Sequence, residues 1–257
     1  SEGYAIDPAA LERRITPKTK ALIINTPCNP TGATYGREML ERIAAIAVRH
    51  DLVVVSDEIY EKVLYDGASH VSIASLGPEI AARTVVINGV SKAYAMTGWR
   101  VGYAAGPTEL ITAMGNIQSQ STSNPCSISQ KAAVAALRTG EPFTKHMVAE
   151  FDRRRRAIVE GLNAIPGVSC TMPGGAFYAF PNIRKVLGKC GPGGAVTSPA
   201  ELAAYLLKDA HIAVVPVERG LGRFVRPHEE VQDVGHELAR TAAGQRAPGP
   251  AEPCPCV

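Results

Sequence analysis

Long hydrophobic runs are missing from this sequence. Runs such as Leu52 to Val55 and His211 to Pro216 are only strand-sized, and nothing approaches the roughly eighteen apolar residues that a membrane-spanning helix requires. An excess of either charge is missing too: 27 Lys and Arg stand against 24 Asp and Glu, a net charge of +3 with 20% charged residues. That leaves too little basic surface for nucleic-acid binding to be the default reading. The six cysteines, at positions 28, 126, 170, 190, 254 and 256, contain no CxxC pair. Nothing therefore reads as a zinc knuckle, and a chain of 27.1 kDa has no need of a disulfide scaffold. A reducing cytoplasm is the expected compartment. No HExxH or spaced histidine cluster occurs: His50 follows a helical segment, and His70 and His146 lie in polar context. The opening SEGYAIDPAALERR lacks the basic and apolar regions of a secretion signal. It also lacks an initiator Met, and the first strand arrives without a preceding layer, so a fragment of a longer protein is expected. What is present is 46% hydrophobic residues in 257, enough for one large core or two modest domains.

Along the chain, ALIINT (21–26) is apolar and β-branched, PCNPTG breaks it, and REMLERIAAIAVRH (37–50) carries Met39, Leu40, Ile43, Ala44, Ile46 and Ala47 at helical spacing. LVVVSDE (52–58) is continuously apolar up to its acidic end, which predicts a strand covered on both faces. Strand, helix, strand in that order favours parallel pairing through a right-handed crossover. TVVING (84–89) and VGYAA (101–105) predict further strands, so the fold class is α/β, a mostly parallel sheet with flanking helices. After SQSTSNPCSIS (119–129), a helix is predicted near 130–137 and a long amphipathic one near 143–162. Arg153 to Arg156 on the latter lack interleaved aromatics and read as a solvated face rather than a nucleic-acid patch. GVSCTMPGGAFYAFPNI (167–183), an Ala-rich helix from Pro199 and a strand at HIAVVP (211–216) predict a smaller α+β layer. The expected division is a partial large domain over 1–140, a small domain over 141–216, and an atypical tail over 217–257. That tail holds one short helical stretch, 237–241, and ends in GQRAPGPAEPCPCV, the composition of disorder or of an altered reading frame. Cys254 and Cys256 are poor ligand candidates there.

Three polar residues follow predicted parallel strands: Asn29, Asp57 and Lys92. Ligands of open α/β sheets gather beyond the carboxyl ends of the strands, so these distant residues are expected to converge on one site. Taken singly, each has a plainer explanation. An acid at a strand end equally caps a following helix, and a lysine after small residues is often simply exposed.

Their company decides between these readings. GVSKAYAMTGWRVGYAAGP (89–107), NTPCNPTGATYG (25–36) and SDEIYEKVLYDG (56–67) resemble, in order and separation, the signature blocks of the fold-type I pyridoxal-phosphate aminotransferases of class I/II. MPGGAFYAF (172–180) fits the smaller domain of the same family, and the resemblance covers roughly residues 1–216. Within that family, NGVSKAYAMTGWR is most similar to prokaryotic aspartate aminotransferases and to relatives that handle aromatic or prephenate-type substrates. The resemblance implies pyridoxal 5′-phosphate as cofactor, with Lys92 forming the Schiff base to its aldehyde and shuttling the substrate proton. It implies Asp57 at the pyridine nitrogen, Tyr60 and Asn29 at the phenolic oxygen, and Arg100 on the phosphate. Asn29 would also reach the substrate carboxylate. The implied reaction moves an amino group between an α-amino acid, aspartate or a similar acid, and a 2-oxo acid such as 2-oxoglutarate, in a homodimer. Trp99 and Tyr103 read as packing groups beside the phosphate loop. Gly174, Gly175 and Phe177 read either as lining of the substrate mouth or as a turn into a packed strand.

The family pattern is incomplete here. An N-terminal region with the phosphate turn, a ring-stacking aromatic and a dimer arm has no counterpart in this sequence. The arginine that clamps the substrate carboxylate has its nearest match in Arg226, but the PHEE that follows departs from the pattern, which a frame disruption near Val217 would explain. Two alternatives therefore stand beside the transaminase: a pyridoxal-phosphate lyase of the same fold, and a truncated remnant or interaction module without catalysis.

Overall fold

A short helix α1 (Pro8–Glu12), capped by Asp7 whose Oδ1 accepts from the Ala9 amide at 2.9 Å, leads into the sheet. The computed structural model describes residues 4–191 and 194–217. Strand β1 (Ala21–Asn25), helix α2 (Arg37–Arg49) and strand β2 (Val53–Asp57) form the first unit of the sheet, followed by helix α3 (Pro78–Ala81) and strand β3 (Thr84–Gly89). Strand β4 (Gly102–Ala105) completes a sheet of order β1-β2-β3-β4. The first two pairings are parallel, as strand-helix-strand order requires. The third is antiparallel. Residues 90–101 hold only a 3-10 turn, Thr97–Trp99, so no crossover helix carries the chain back and it returns beside β3 in the opposite sense.

The apolar stripe of α2 is what closes the core. Leu40, Ile43, Ala44 and Ala47 pack on Ile24 of β1 and Val54 of β2, together with Leu52, Ile73 and Ile80. Fully burying one such aliphatic side chain contributes about 1.5–3 kcal/mol. The expectation that β2 is covered on both faces does not hold. Its side chains alternate, Val54 and Ser56 buried, Val53 and Val55 half-buried, and Ile23 of β1 is 68% exposed. The reason is one-sided packing: α2, α3 and the 3-10 turn Ile73–Leu76 all contribute to the cluster on the Ile24–Val54 face.

Helix α4 (Thr108–Ser121) buries no residue, whereas α5 (Ser127–Thr139) sets Ala133 against Val90 and Met96 of the 90–101 loop. Helix α6 (Glu141–Asn163) follows directly, and the Thr144 hydroxyl donates to the Ala93 carbonyl at 2.8 Å. Both helices brace that loop. Strands β5 (Ser169–Cys170) and β6 (Pro181–Asn182) pair antiparallel.

By compactness the chain divides into Ser1–Asn182 and Ile183–Val257. The second unit holds β7 (Cys190–Gly191) paired with β8 (Gly194–Ala195), and helix α7 (Pro199–Asp209), whose Ser198 cap accepts from the Glu201 amide at 3.2 Å. The strand expected at 211–216 is not formed. No strand pairs with it among the described residues, and Val215 is 87% exposed; an apolar run without a ladder partner has no sheet to join. The helix expected at 237–241 and the rest of the tail from 218 lie outside the described residues. Among the described residues no helix is long and apolar enough to cross a membrane.

Candidate active site

Strands β1, β2 and β3 end at Asn25, Asp57 and Gly89, and their parallel register aligns Asn25 with Asp57 and Asp57 with Ile87. The three carboxyl ends thus open on one edge of the sheet, where ligands of such folds bind. Beyond β1, the Asn25 side chain organises the turn: its Nδ2 donates to the Asp57 carbonyl at 3.2 Å and its Oδ1 accepts from the Asn29 amide at 2.6 Å. The Thr26–Pro27 and Asn29–Pro30 bonds are both cis. Asn29 is exposed, and among the described residues its side chain makes no hydrogen bond.

At the end of β2, Asp57 Oδ1 accepts from the Ile59 amide at 3.1 Å, while no hydrogen bond among the described residues engages its second oxygen. The chain then turns tightly, with Glu61 N donating to the Glu58 carbonyl at 2.9 Å and Val63 N to the Tyr60 carbonyl at 2.8 Å. This turn drives Tyr60 inward, where its hydroxyl meets that of Tyr178. Burial above all, then the Tyr178 hydrogen bond and the nearby Asp57 charge, hold the Tyr60 phenol well above its ordinary range. It stays neutral at physiological pH.

Lys92 lies half-buried in the loop that joins β3 to β4. Its Nζ is 5.7 Å from the centroid of the Tyr60 ring and 5.5 Å from that of Phe177. Two aromatic walls therefore border the amine. The loop closes through Val90 N to the Val101 carbonyl at 3.4 Å, which sets Lys92 and Arg100 on its two limbs. Arg100 adopts left-handed backbone, φ 54°, and its Nη1 donates to the Thr97 carbonyl at 3.1 Å. The Thr97 hydroxyl in turn donates to the Ser91 carbonyl at 3.0 Å. Arg100 forms no ion pair among the described residues. Trp99 and Tyr103, read from the sequence as packing groups, are 45% and 43% exposed; both sit on the loop and edge strand at the margin of the sheet.

Lys92 and Tyr60 are thus brought together with Asp57 near Tyr60, while Asn29 lies in the turn after β1 and Arg100 at the end of the loop that leads into β4. Arg226 lies outside the described residues.

The structure gives Gly32 and Tyr178 places that sequence reading did not single out, and it buries Arg155. MPGGAFYAF threads between the two signature loops: the Gly32 carbonyl accepts from both Gly174 N and Gly175 N at 3.0 Å, and Ala176 N donates to the Val63 carbonyl at 2.9 Å. Gly32 is required here. At φ +68° it has left-handed backbone, and a Cβ would stand 2.3 Å from Pro173 Cβ and 2.9 Å from the Gly175 carbonyl. Gly174 and Gly175 form a turn, no strand follows it over 176–180, and it brings Phe177 to Lys92 and Tyr178 to Tyr60. Arg155, expected on a solvated face, is buried instead. Its guanidinium donates to the Pro173 carbonyl at 2.6 Å and to both oxygens of Asp66 at 3.0 and 2.9 Å, and lies 4.3 Å over the Tyr65 ring. Behind Phe177 and Tyr178 an apolar cavity of 240 Å³ is lined also by Phe151 and Ile158; Lys92 does not border it.

Comparison with known proteins accords with this fold. The family model for aminotransferase class I and II matches residues 1–231. An aspartate aminotransferase of Geobacillus stearothermophilus is 48% identical over 213 residues, 83% of this chain and 53% of its own length. An aspartate/prephenate aminotransferase of Cereibacter sphaeroides is 48% identical over 215 residues, 83% of this chain and 54% of its own. The crystal structure of the aspartate aminotransferase from Rhizobium meliloti superposes with a TM-score of 0.79 at 47% identity, covering 83% of this chain and 54% of that one. The chain spans about half the length of the curated relatives it matches. The mostly parallel sheet, the strand-end lysine and acid, and a family match over most of the sequence agree, and the chain belongs to the aminotransferase class I and II family.

Proposed function

We propose that this chain carries the lysine and ring-side acid of a transaminase, which moves an amino group between an α-amino acid, aspartate or a close analogue, and a 2-oxo acid such as 2-oxoglutarate. The observation that carries this reading is the Lys92 amine, set between the Tyr60 and Phe177 rings at the strand edge where Asp57 ends β2. The names of the relatives, aspartate and aspartate/prephenate aminotransferases, support the substrate class.

The donor set fits pyridoxal 5′-phosphate: one amine, one carboxylate, one neutral phenol and one guanidinium at the same end of the sheet. Bound there, that cofactor supplies an aldehyde for an amine to capture and a protonated ring that takes up the electrons left when the substrate Cα loses its proton. Lys92 would be the amine that holds that aldehyde and, as a free base, the group that would move the substrate Cα proton. Asp57, pinned through Oδ1 by the Ile59 amide, keeps its other oxygen for a cationic ring nitrogen. A charge-assisted hydrogen bond of this kind is worth about 1.5–3 kcal/mol. Tyr60 can accept from Tyr178 and still donate its own proton to a phenolic oxygen. Arg100 offers a fork for the phosphate, Asn29 a side chain for the phenolic oxygen and substrate carboxylate, and Arg226 a second carboxylate contact.

In this reading residues 1–140 belong to the cofactor-binding domain, 141–216 to the smaller domain, and 217–257 to an atypical tail; the complete enzyme is a cytoplasmic homodimer. The test is to incubate the purified chain with pyridoxal phosphate, reduce with borohydride and map the modified peptide. A pyridoxyl group on Lys92 is expected, and an unmodified Lys92 removes the cofactor assignment. For the reaction class, amino transfer from aspartate is followed alongside ammonia, CO₂ and pyruvate. Pyruvate or CO₂ without transfer replaces the transaminase by a lyase.

A further inference from the structure

Between Asp57 and Tyr60 stands a buried carboxylate with no role in the proposed reaction. Glu58 is 3% exposed, yet all of its hydrogen-bonding capacity toward neighbouring side chains is organised. Oε1 accepts from the Ser56 hydroxyl at 2.9 Å and from the Ser72 hydroxyl at 2.7 Å, and Oε2 faces His70 Nε2 at 2.9 Å. Its backbone is fixed as well: its amide donates to the Ile87 carbonyl of β3 at 2.9 Å, and its carbonyl accepts from Glu61 at 2.9 Å. The titratable neighbours are His70 and Glu61, whose ligand atoms and those of Glu58 lie within 4.8 Å of one another. Because the serines and His70 already occupy both Glu58 oxygens, this cluster has the chemistry of a clasp rather than of an open cation site.

We infer that Glu58 is a positioning residue: it ties the Asp57–Tyr60 turn to β2, to β3 and to the 70–72 segment, and so aims the Asp57 carboxylate and the Tyr60 hydroxyl at the group held by Lys92. The residues on either side make the case. Asp57 immediately precedes Glu58, and Tyr60 follows it by two. Their orientation depends on the course of one short turn whose only buried side-chain anchor between them is Glu58. An ionised carboxylate accepts from every donor that faces it, so Nε2 of His70 carries the proton. Gln at the same position keeps this geometry in part: its oxygen accepts from both serines, and its amide nitrogen donates to His70 in the other tautomer. Ala keeps none of it.

The inference rests on the cofactor assignment for what Asp57 and Tyr60 address, but not for the clasp itself, and the experiment separates the two. Wild-type chain, Glu58→Ala, Glu58→Gln and Ser72→Ala are compared in two measurements. Without cofactor, amide hydrogen exchange is followed at Ile59, Glu61 and Val63, with Leu40 and Ala44 of α2 as reference. In Glu58→Ala the turn amides are expected to exchange about tenfold faster while α2 is unchanged, with Glu58→Gln close to wild type. With pyridoxal phosphate, the visible absorbance of the Lys92 adduct is titrated against cofactor and against pH. Glu58→Ala is expected to weaken adduct formation about tenfold and to displace its pH midpoint, and Glu58→Gln to restore both. Ser72→Ala, which removes one donor, gives the same changes at smaller size and stands in if Glu58→Ala does not fold. A folded Glu58→Ala, or Ser72→Ala in its place, whose turn exchanges as in wild type, or whose adduct forms with wild-type affinity and midpoint, overturns the inference. A wild-type chain that forms no adduct at Lys92 overturns the cofactor assignment instead, and the exchange measurement alone then decides on the clasp.

Discussion

Glu58 couples protonation to stability through opposing effects. Burial alone raises its pKa, but the hydrogen bonds from His70, Ser72 and Ser56 outweigh burial and hold it below its ordinary value of 4.5. A carboxyl whose pKa is lower in the folded state binds its proton more readily when unfolded. Its contribution is therefore present in full above the ordinary value and is lost as pH falls through the lowered folded value. Glu58→Gln removes that ionisation. In urea unfolding at a series of pH values, wild type is expected to exceed Glu58→Gln in stability at neutral pH, with the gap closing as pH falls below about 4.5. A gap that stays constant down to the acid transition shows that the charge of Glu58 contributes nothing.

At the scale of elements, α6 is fastened to the 173–177 loop by Arg155 and to the segment after β2 by Arg155 and Arg156, which both meet Asp66. Arg155 has a side-chain exposure of 3% and contacts Asp66, Asp152, the Pro173 carbonyl and the Tyr65 ring. Removing one partner of a buried pair costs about 3–5 kcal/mol, but Asp66 is 56% exposed and solvent relieves part of the loss. Arg155→Ala is accordingly expected to destabilise by about 2–3 kcal/mol, and Arg154→Ala, its exposed neighbour, by less than about 0.5 kcal/mol in the same denaturant titration. Equal effects of the two refute the fastening role. The sequence could not separate these neighbours, because a run of four arginines carries no internal sign of which one is buried or which meet an acid 89 and 90 residues away. Tyr178 was hidden for the same reason, since its partner Tyr60 is 118 residues distant. The strand ends ahead of Asp57 and Lys92 were legible because an apolar run that stops at polar residues announces itself locally, whereas the roles of the two residues came only from the resemblance of the surrounding blocks. The parallel core was legible too, from the α2 stripe. What failed were expectations that need a partner: a second cover for β2, and a strand at 211–216 with nothing beside it.

For the molecule as a whole, the apolar surface left open is the telling feature. Helix α4 buries no residue and exposes Leu110, Met114 and Ile117, which recur at the spacing of one helical face. In α5, Ile128 is 71% exposed, as is Ile117 in α4, and Ile23 opens one face of β1. In relatives the matched segment makes up only 53% or 54% of the length and is held as part of a larger body, and a helix with an apolar stripe and nothing buried is a surface that gains by being covered. The chain by itself is therefore expected to bind a hydrophobic dye and to associate with rising concentration in analytical ultracentrifugation. Ile117→Lys places a charge in the centre of the α4 stripe without touching the Ile24–Val54 core, so it should lower both dye binding and association while leaving the helical circular dichroism unchanged. A chain that sediments as a monomer at every concentration and binds no dye shows that these faces are tolerated in water as they stand. Association that Ile117→Lys leaves intact moves the sticky surface away from α4, to β1 or α5, where Ile23→Lys and Ile128→Lys make the same comparison.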